Sequence, residues 1–261
     1  MKQSALVLLL MLLAGCTGLR IDDSHTARGQ SSRVQYIVLH YTSSDLPRSL
    51  QLLTQTEVSS HYLLGARPAT VYRLVDENRR AWHAGDSAWQ GRTWLNASSL
   101  GIELVNQGYE EDPDGTRRWY PYPEEQIEVL IALLKDLVAR HDLPPGSIVG
   151  HSDIAPQRKV DPGPLFPWRR LAEAGLIPWP DSARVTHYQT LFEQGLPEVA
   201  WFQQQLAEEG YQVPLHGELD DATRKVLRAF QMKYRPTRYD GDPDAETAAL
   251  LLALRPMVGA E

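Results

Sequence analysis

Three short stretches of this chain carry residue types that bind metal ions: Val38-Leu39-His40-Tyr41-Thr42, Val149-Gly150-His151-Ser152-Asp153 and Arg158-Lys159-Val160-Asp161-Pro162-Gly163. Each sets a polar side chain beside a strand end or a Gly/Pro turn. Two neutral imidazoles and one carboxylate, brought together, would make a three-ligand Zn2+ site whose fourth tetrahedral position stays open to water, the arrangement of a catalytic rather than a structural zinc. Spacing alone is weak support, because no regular motif such as His-Glu-x-x-His is present. Glu103 lies in Leu100-Gly101-Ile102-Glu103-Leu104-Val105, on a strand whose apolar neighbours make it mostly buried. A bare buried carboxylate is costly, so Glu103 is either a structural partner of an arginine or a functional group in a cleft. Lys159 precedes Asp161 by two, so in an extended turn both side chains could enter one cleft, although a surface lysine is the ordinary reading. His83, between Trp82 and Ala84-Gly85, is either a structural histidine or a contact to a sugar or peptide, and His61 reads as a buried, hydrogen-bonded core residue.

Short β-branched and aromatic runs bounded by Gly, Pro or Ser predict strands over 34–40, 61–64, 71–75, 100–105 and 148–150. Ile127, Leu130, Ile131, Leu134, Leu137 and Val138 fall on one helical face and predict a helix over 124–140, after Pro123 and before Pro144-Pro145. Strands interleaved with helices make residues 33–178 an α/β layer with a mixed central β-sheet flanked by helices. The Pro-rich stretch Ile177-Pro178-Trp179-Pro180 marks a boundary, with 179–196 expected as a linker. Residues 197–261 then read as a small three-helix domain, its faces marked by Val199, Phe202 and Leu206, by Val226, Leu227 and Phe230, and by Leu250, Leu251 and Leu254. Within it Gly217, Asp220 and Thr223 recur as Gly241, Asp244 and Thr247, an offset that turns the chain and caps a helix.

The N-terminus has Lys2, an apolar run and Gly15-Cys16, the parts of an export signal over residues 1–16. Leu13-Ala14-Gly15-Cys16 resembles a bacterial lipobox. Cys16, the only cysteine, is then the lipidated residue, carrying palmitate-type acyl chains that anchor the protein to a membrane, and 17–32 is a polar tether. Thr17, where an Asp would signal inner-membrane retention, favours an outer-membrane lipoprotein facing the periplasm of a Gram-negative bacterium. A net charge of −7 without a phosphate-neutralising Lys/Arg run gives nucleic acid no electrostatic support as a partner.

Residues 33–175 resemble the zinc-dependent N-acetylmuramoyl-L-alanine amidases, the family shared by phage lysozyme-like amidases and animal peptidoglycan recognition proteins. The likeness rests on Val-Leu-His-Tyr-Thr at 38–42, Gly-His-Ser-Asp-Ile at 150–154 and Lys-Val-Asp-Pro-Gly-Pro at 159–164. It implies the peptidoglycan recognition protein-like amidase fold and one zinc per chain on His40, His151 and Asp161. It also implies Glu103 as general base, Lys159 as oxyanion stabiliser and His83 as a lining of the substrate groove. The segment 197–254, with Phe202-Gln203-Gln204-Gln205-Leu206, Gly210-Tyr211 and Ala229-Phe230-Gln231, resembles the peptidoglycan-binding domain of wall hydrolases. The expectation is a monomeric hydrolase of the amide between N-acetylmuramic acid, or its anhydro form, and L-alanine, acting on peptidoglycan and muropeptides. A muropeptide-binding protein without catalysis and a zinc peptidase acting within the stem are the alternatives; the intact ligand set weighs against the first.

Overall fold

The computed structural model describes residues 19–255, so Cys16 and the apolar run before it lie outside the described residues. Residues 19–31 belong to a unit of their own and contain no helix or strand. The unit that begins at Ser32 holds, in chain order, β1 (Tyr36–Tyr41), α1 (Leu46–Gln55), β2 (Tyr62–Leu64), β3 (Val71–Arg73), β4 (Ala88–Trp89), β5 (Arg92–Thr93), β6 (Ser99–Leu104), β7 (Tyr109–Glu111) and β8 (Arg117–Trp119). It continues with α2 (Glu124–His141), β9 (Ile148–Gly150), α3 (His151–Ile154), α4 (Trp168–Glu173), α5 (Ser182–Gln194), α6 (Val199–Glu209), α7 (Asp221–Tyr234) and α8 (Ala245–Leu254).

The central sheet has the order β3-β2-β6-β1-β9, with β2, β6, β1 and β9 parallel and β3 antiparallel to β2. This is the mixed sheet expected from the sequence. Alternation along β1 sorts its side chains between two cores. Ile37 and Leu39 join Leu100, Ile102 and Ile148 under α2, which buries Ile127, Leu130, Leu134 and Leu137. Glu124 and Glu125 in the first turn of α2, and Arg140 and His141 in its last, complement the helix dipole. On the other face Tyr36, Val38 and Val149 meet Phe202, Leu206, Val226, Phe230 and Leu251. The C-terminal helices thus supply the second layer that a mostly parallel sheet requires.

The repeated Gly-x-x-Asp-x-x-Thr segments are helix starts, each latched by a glutamine of the preceding helix. Asp220 caps α7 through Thr223 N at 2.7 Å, while Gln203 accepts from Gly217 N at 2.7 Å and donates to Thr223 Oγ1 at 2.9 Å. Asp244 caps α8 in the same way, with Gln231 bound to Gly241 N and Thr247 Oγ1 at 2.8 and 3.1 Å. Both glutamines are fully buried, so each latch satisfies polar groups that would otherwise be stranded.

Residues 179–196, expected as a linker, hold helix α5. Asp181 caps it through Arg184 N at 2.9 Å, and the Arg184 guanidinium donates to the carbonyls of Leu252 and Arg255 at 3.2 and 2.9 Å, tying α5 to the end of α8. None of its residues is buried, which is why no apolar face announces it in the sequence.

The strongest polar tie between the layers is at Asp153 in α3. Its carboxylate accepts from Gly150 N at 2.8 Å, Tyr211 Oη at 2.8 Å and Lys233 Nζ at 2.9 Å, and the side chains of Asp153 and Lys233 are 1% and 6% exposed. Replacing Lys233 with Met should destabilise the protein by about 3–5 kcal/mol, because a buried carboxylate loses its counter-charge. Urea unfolding checks this, and the Asp153→Asn, Lys233→Met pair should recover most of the loss.

A second polar knot fixes the loop after β3 to the end of α2. Glu77 accepts from Arg140 Nη1 and Nη2 at 2.6 and 2.8 Å, from His141 Nε2 at 2.6 Å and from Tyr62 Oη. The Arg140 hydrogen bonds, reinforced by those from Tyr62 and His141 and opposed by burial, lower the Glu77 pKa from 4.5 to about 2. A folded-state pKa below the unfolded one gives stability that is present above pH 4.5 and is lost as pH falls toward about 2. Thermal melts of wild type and Glu77→Gln should therefore differ most at neutral pH and converge across that window.

Candidate active site

The chemistry-bearing residues gather at the carboxyl ends of three adjacent parallel strands, the position where open α/β sheets bind ligands. Glu103 on β6 and His40 on β1 are register partners, and β9 delivers the chain to His151 at the start of α3. Asp161 arrives from the loop that follows α3, which is pinned where Ser152 N donates to Asp161 O at 2.8 Å and Tyr122 Oη to Pro162 O at 2.8 Å.

His40 Nδ1, His151 Nδ1 and Asp161 Oδ2 form a small triangle with edges of 2.9, 3.0 and 3.1 Å. The three residues are 1%, 3% and 6% exposed. Hydrogen bonds behind the rings assign the tautomers. Ser99 Oγ donates to Leu95 O at 2.7 Å and so accepts from His83 Nε2 at 3.2 Å; His83 Nδ1 in turn accepts from His40 Nε2 at 3.0 Å. His151 Nε2, 3.2 Å from Ala84 O and 3.4 Å from Arg158 Nη2, donates to the nearer carbonyl. Both Nδ1 atoms are left as bare lone pairs that face a carboxylate oxygen. Three acceptors converging in a buried space repel one another unless a cation stands among them. Tetrahedral zinc ligands at ordinary bond lengths lie about 3.3 Å apart, close to the triangle observed, so this donor set could hold such an ion.

The ionisation states agree with that use. Burial, with His151 nearby, lowers the His40 pKa to about 4, and burial likewise holds His83 well below its ordinary value, so both rings are neutral. Asp161 is pulled two ways: burial raises its carboxyl, and a proton on His151 or His40 turned toward it would hold it below its usual range. Glu103 is pushed well above the ordinary carboxylate value by burial and by Asp161, against the opposing charge of Lys159. Its Oε2 is buried without a hydrogen-bond partner, so no arginine pairs with it there; the atom is free to meet a water or a substrate group.

A cleft of ≈ 730 Å³ opens over the triangle, lined among others by His83, Glu103, Tyr109, Arg158 and Lys159. The structure therefore brings together every site residue expected from the sequence except Cys16, which is not described. His83 lines the cleft and also supports His40 from behind. Its packing demands Gly101, where a Cβ would come within 2.5 Å of the His83 ring. His61 is a core histidine as expected: Nδ1 accepts from Gly101 N at 3.0 Å, and burial lowers its pKa to about 4.

Further contributors escaped the sequence reading. Arg158 donates to Ala84 O and to Asp86 O and so fixes the loop that carries His83. Tyr109 on β7 walls the cleft and packs on Trp119, whose Nε1 donates to Tyr239 Oη at 2.9 Å from beyond α7. Gly163, with φ +80, leaves room for that Trp119 ring, which would stand 2.6 Å from a Cβ. Lys233 reaches α3 from 80 residues away. No local pattern signals any of these contacts.

Residues 30–164 match the N-acetylmuramoyl-L-alanine amidase family, and residues 195–251 match a peptidoglycan binding domain. The chain is 42% identical over 269 residues to the N-acetylmuramoyl-L-alanine amidase AmiD of Escherichia coli strain K12, covering 95% of both chains. Among solved structures it is similar to E. coli AmiD in complex with the substrate anhydro-N-acetylmuramic acid-L-Ala-D-gamma-Glu-L-Lys, with TM-score 0.83 and 42% identity over 94% of this chain and 97% of that one. AmpDH3 of Pseudomonas aeruginosa in complex with anhydromuramic pentapeptide matches with TM-score 0.83 and 42% identity, over 90% of this chain and 97% of the other. Matched along its catalytic layer and related almost end to end to a known member, this chain belongs to the N-acetylmuramoyl-L-alanine amidase family.

Proposed function

We propose that this chain hydrolyses the amide joining the lactyl group of N-acetylmuramic acid to the L-alanine of the stem peptide, with one zinc ion held by His40 Nδ1, His151 Nδ1 and Asp161 Oδ2. The enzyme is an N-acetylmuramoyl-L-alanine amidase acting in peptidoglycan recycling. The observation that carries the zinc reading is the buried triangle of three acceptors, with Glu103 Oε2 unpartnered beside it. Anhydromuropeptides are included because two similar structures hold them. Zinc at these ligands would supply a Lewis acid that polarises the scissile carbonyl and acidifies water.

The chain's own groups do the rest. Glu103 takes the proton of the attacking water at Oε2 and passes it to the departing alanine nitrogen; its raised affinity for a proton suits it to hold one between the two events. Lys159, on the cleft wall, stabilises negative charge as the carbonyl becomes tetrahedral. His83 holds the His40 ring in the tautomer that bares Nδ1. The C-terminal helices bear the peptidoglycan-binding match and provide contact to the wall. In a Gram-negative envelope, lipidation of Cys16 would hold the monomeric enzyme at the outer membrane facing the periplasm, with residues 17–32 as tether.

Digestion of peptidoglycan by protein from residue 17 onward, read by mass spectrometry, should release intact stem peptides. Chelation should stop it and zinc restore it, whereas shortened stems would mean a peptidase. Glu103→Gln should lower kcat by about 10²–10⁴. His83→Ala should weaken zinc binding by about 10–100-fold in competition with a chromophoric chelator, with folding unchanged by circular dichroism.

A further inference from the structure

A second, smaller cavity of ≈ 180 Å³ adjoins the catalytic cleft, sharing Arg158, Lys159 and Val160 with it. Its remaining wall comes from Arg117 on β8, Pro156 and Gln157, and from Lys225, Arg228 and Met232 on α7. Five cationic side chains line it and no carboxylate does, in a chain whose net charge is −7. Two of the five have acidic partners: Lys225 with Asp221 at 2.7 Å and Arg117 with Glu111 at 3.3 Å, the acidic side chains being 80% and 54% exposed. Arg158 donates to the carbonyls of Ala84 and Asp86 and approaches His151 Nε2 at 3.4 Å, and Arg228 donates to that of Asp240. Among the described residues neither they nor Lys159 has a carboxylate partner. Like charges gathered this closely repel one another unless an anion is brought to them.

We infer that this cavity is a carboxylate subsite for the peptide half of the substrate, built jointly by the catalytic layer and by Lys225 and Arg228 of the C-terminal helices. The inference rests on the amidase reading above. If Lys159 faces the scissile carbonyl, the stem peptide leaves the reacting centre beside Lys159 and Arg158, along the wall that the two cavities share. A stem of the kind named in the AmiD complex, L-Ala-D-gamma-Glu-L-Lys, carries two free carboxylates. One is the α-carboxylate that γ-linkage leaves on glutamate; the other is the chain terminus. Guanidinium groups bind such planar anions through paired N–H donors. The wall-binding domain thereby joins the specificity site for the peptide.

The experiment compares three synthetic substrates: N-acetylmuramyl-L-Ala-D-γ-Glu-L-Lys with both carboxylates free, the same with the glutamate α-carboxylate amidated, and the same with a C-terminal amide. For the full chain, one amidation should lower kcat/KM about tenfold, through KM, and which one identifies the carboxylate bound. In Lys225→Gln, Arg228→Gln that preference should fall to about one, while Arg228→Lys, which keeps the charge, should retain most of it. A thermal melt establishes that each variant is folded, and both substituted positions lie on the half-buried surface of α7. Equal kcat/KM for all three substrates in wild type, or an undiminished preference in the folded double variant, would overturn the subsite. Failure of wild type to cleave any of the three would overturn the amidase reading and the subsite with it.

Discussion

Three lone-pair acceptors face one another across about 3 Å at the heart of this protein, and the surrounding fold is arranged to keep them there. An imidazole can turn its proton inward, and had either His40 or His151 done so the cluster would be an ordinary hydrogen-bonded pair. Serial donors prevent it. Ser99 is committed to Leu95, His83 to Ser99 and His40 to His83, while Ala84 fixes the other ring. Each step in that chain is set by a backbone carbonyl at its end, so the tautomers follow from secondary structure and not from solvent. Burial adds to the constraint by making protonation of His40 and His83 unfavourable.

Seen from the sheet, the same need explains the C-terminal helices. The strands that deliver His40 and His151 carry apolar side chains on both faces, and α2 covers one face only. Phe202, Leu206, Val226 and Phe230 close the other. Asp153, two residues past His151, is completed by Tyr211 and Lys233, so the turn that aims His151 depends on side chains from the domain that bears the wall-binding match. Tyr239 does the same for the cleft wall through Trp119. A segment that could have been a tethered module is in this chain the second layer of the catalytic fold.

What is legible in the sequence follows the range of the interaction. The sheet strands and α2 are legible because apolar periodicity is local, and their ends fall within two residues of expectation. The capping repeat is legible because Gly217 to Thr223 is local too; the Gln203 and Gln231 latches that complete it are not. Helix α5 is hidden because none of its residues is buried, leaving only the prolines before it to be read. At the site, residue types and their neighbours single out His40, Glu103, His151, Lys159 and Asp161, and family likeness gives them roles. The contact of His83 with His40 spans 43 residues and that of Lys233 with Asp153 spans 80, distances over which one sequence carries no pairing signal.

Charge makes the same point from the opposite direction. Read along the chain, Arg117, Arg158-Lys159 and Lys225 with Arg228 are unremarkable members of an acidic protein, and no run of basic residues appears. Folding brings them to one small cavity beside the cleft, and it can do so only because α7 packs where a free-standing wall-binding domain would not. Concentrating positive charge is unfavourable for stability, and the fold neutralises only two of the five with exposed carboxylates. The sheet needs the helical layer for burial and for the Asp153–Lys233 tie, and neither need calls for Lys225 or Arg228 at this edge. Their presence is what selection for an anionic substrate, rather than for packing, would leave behind.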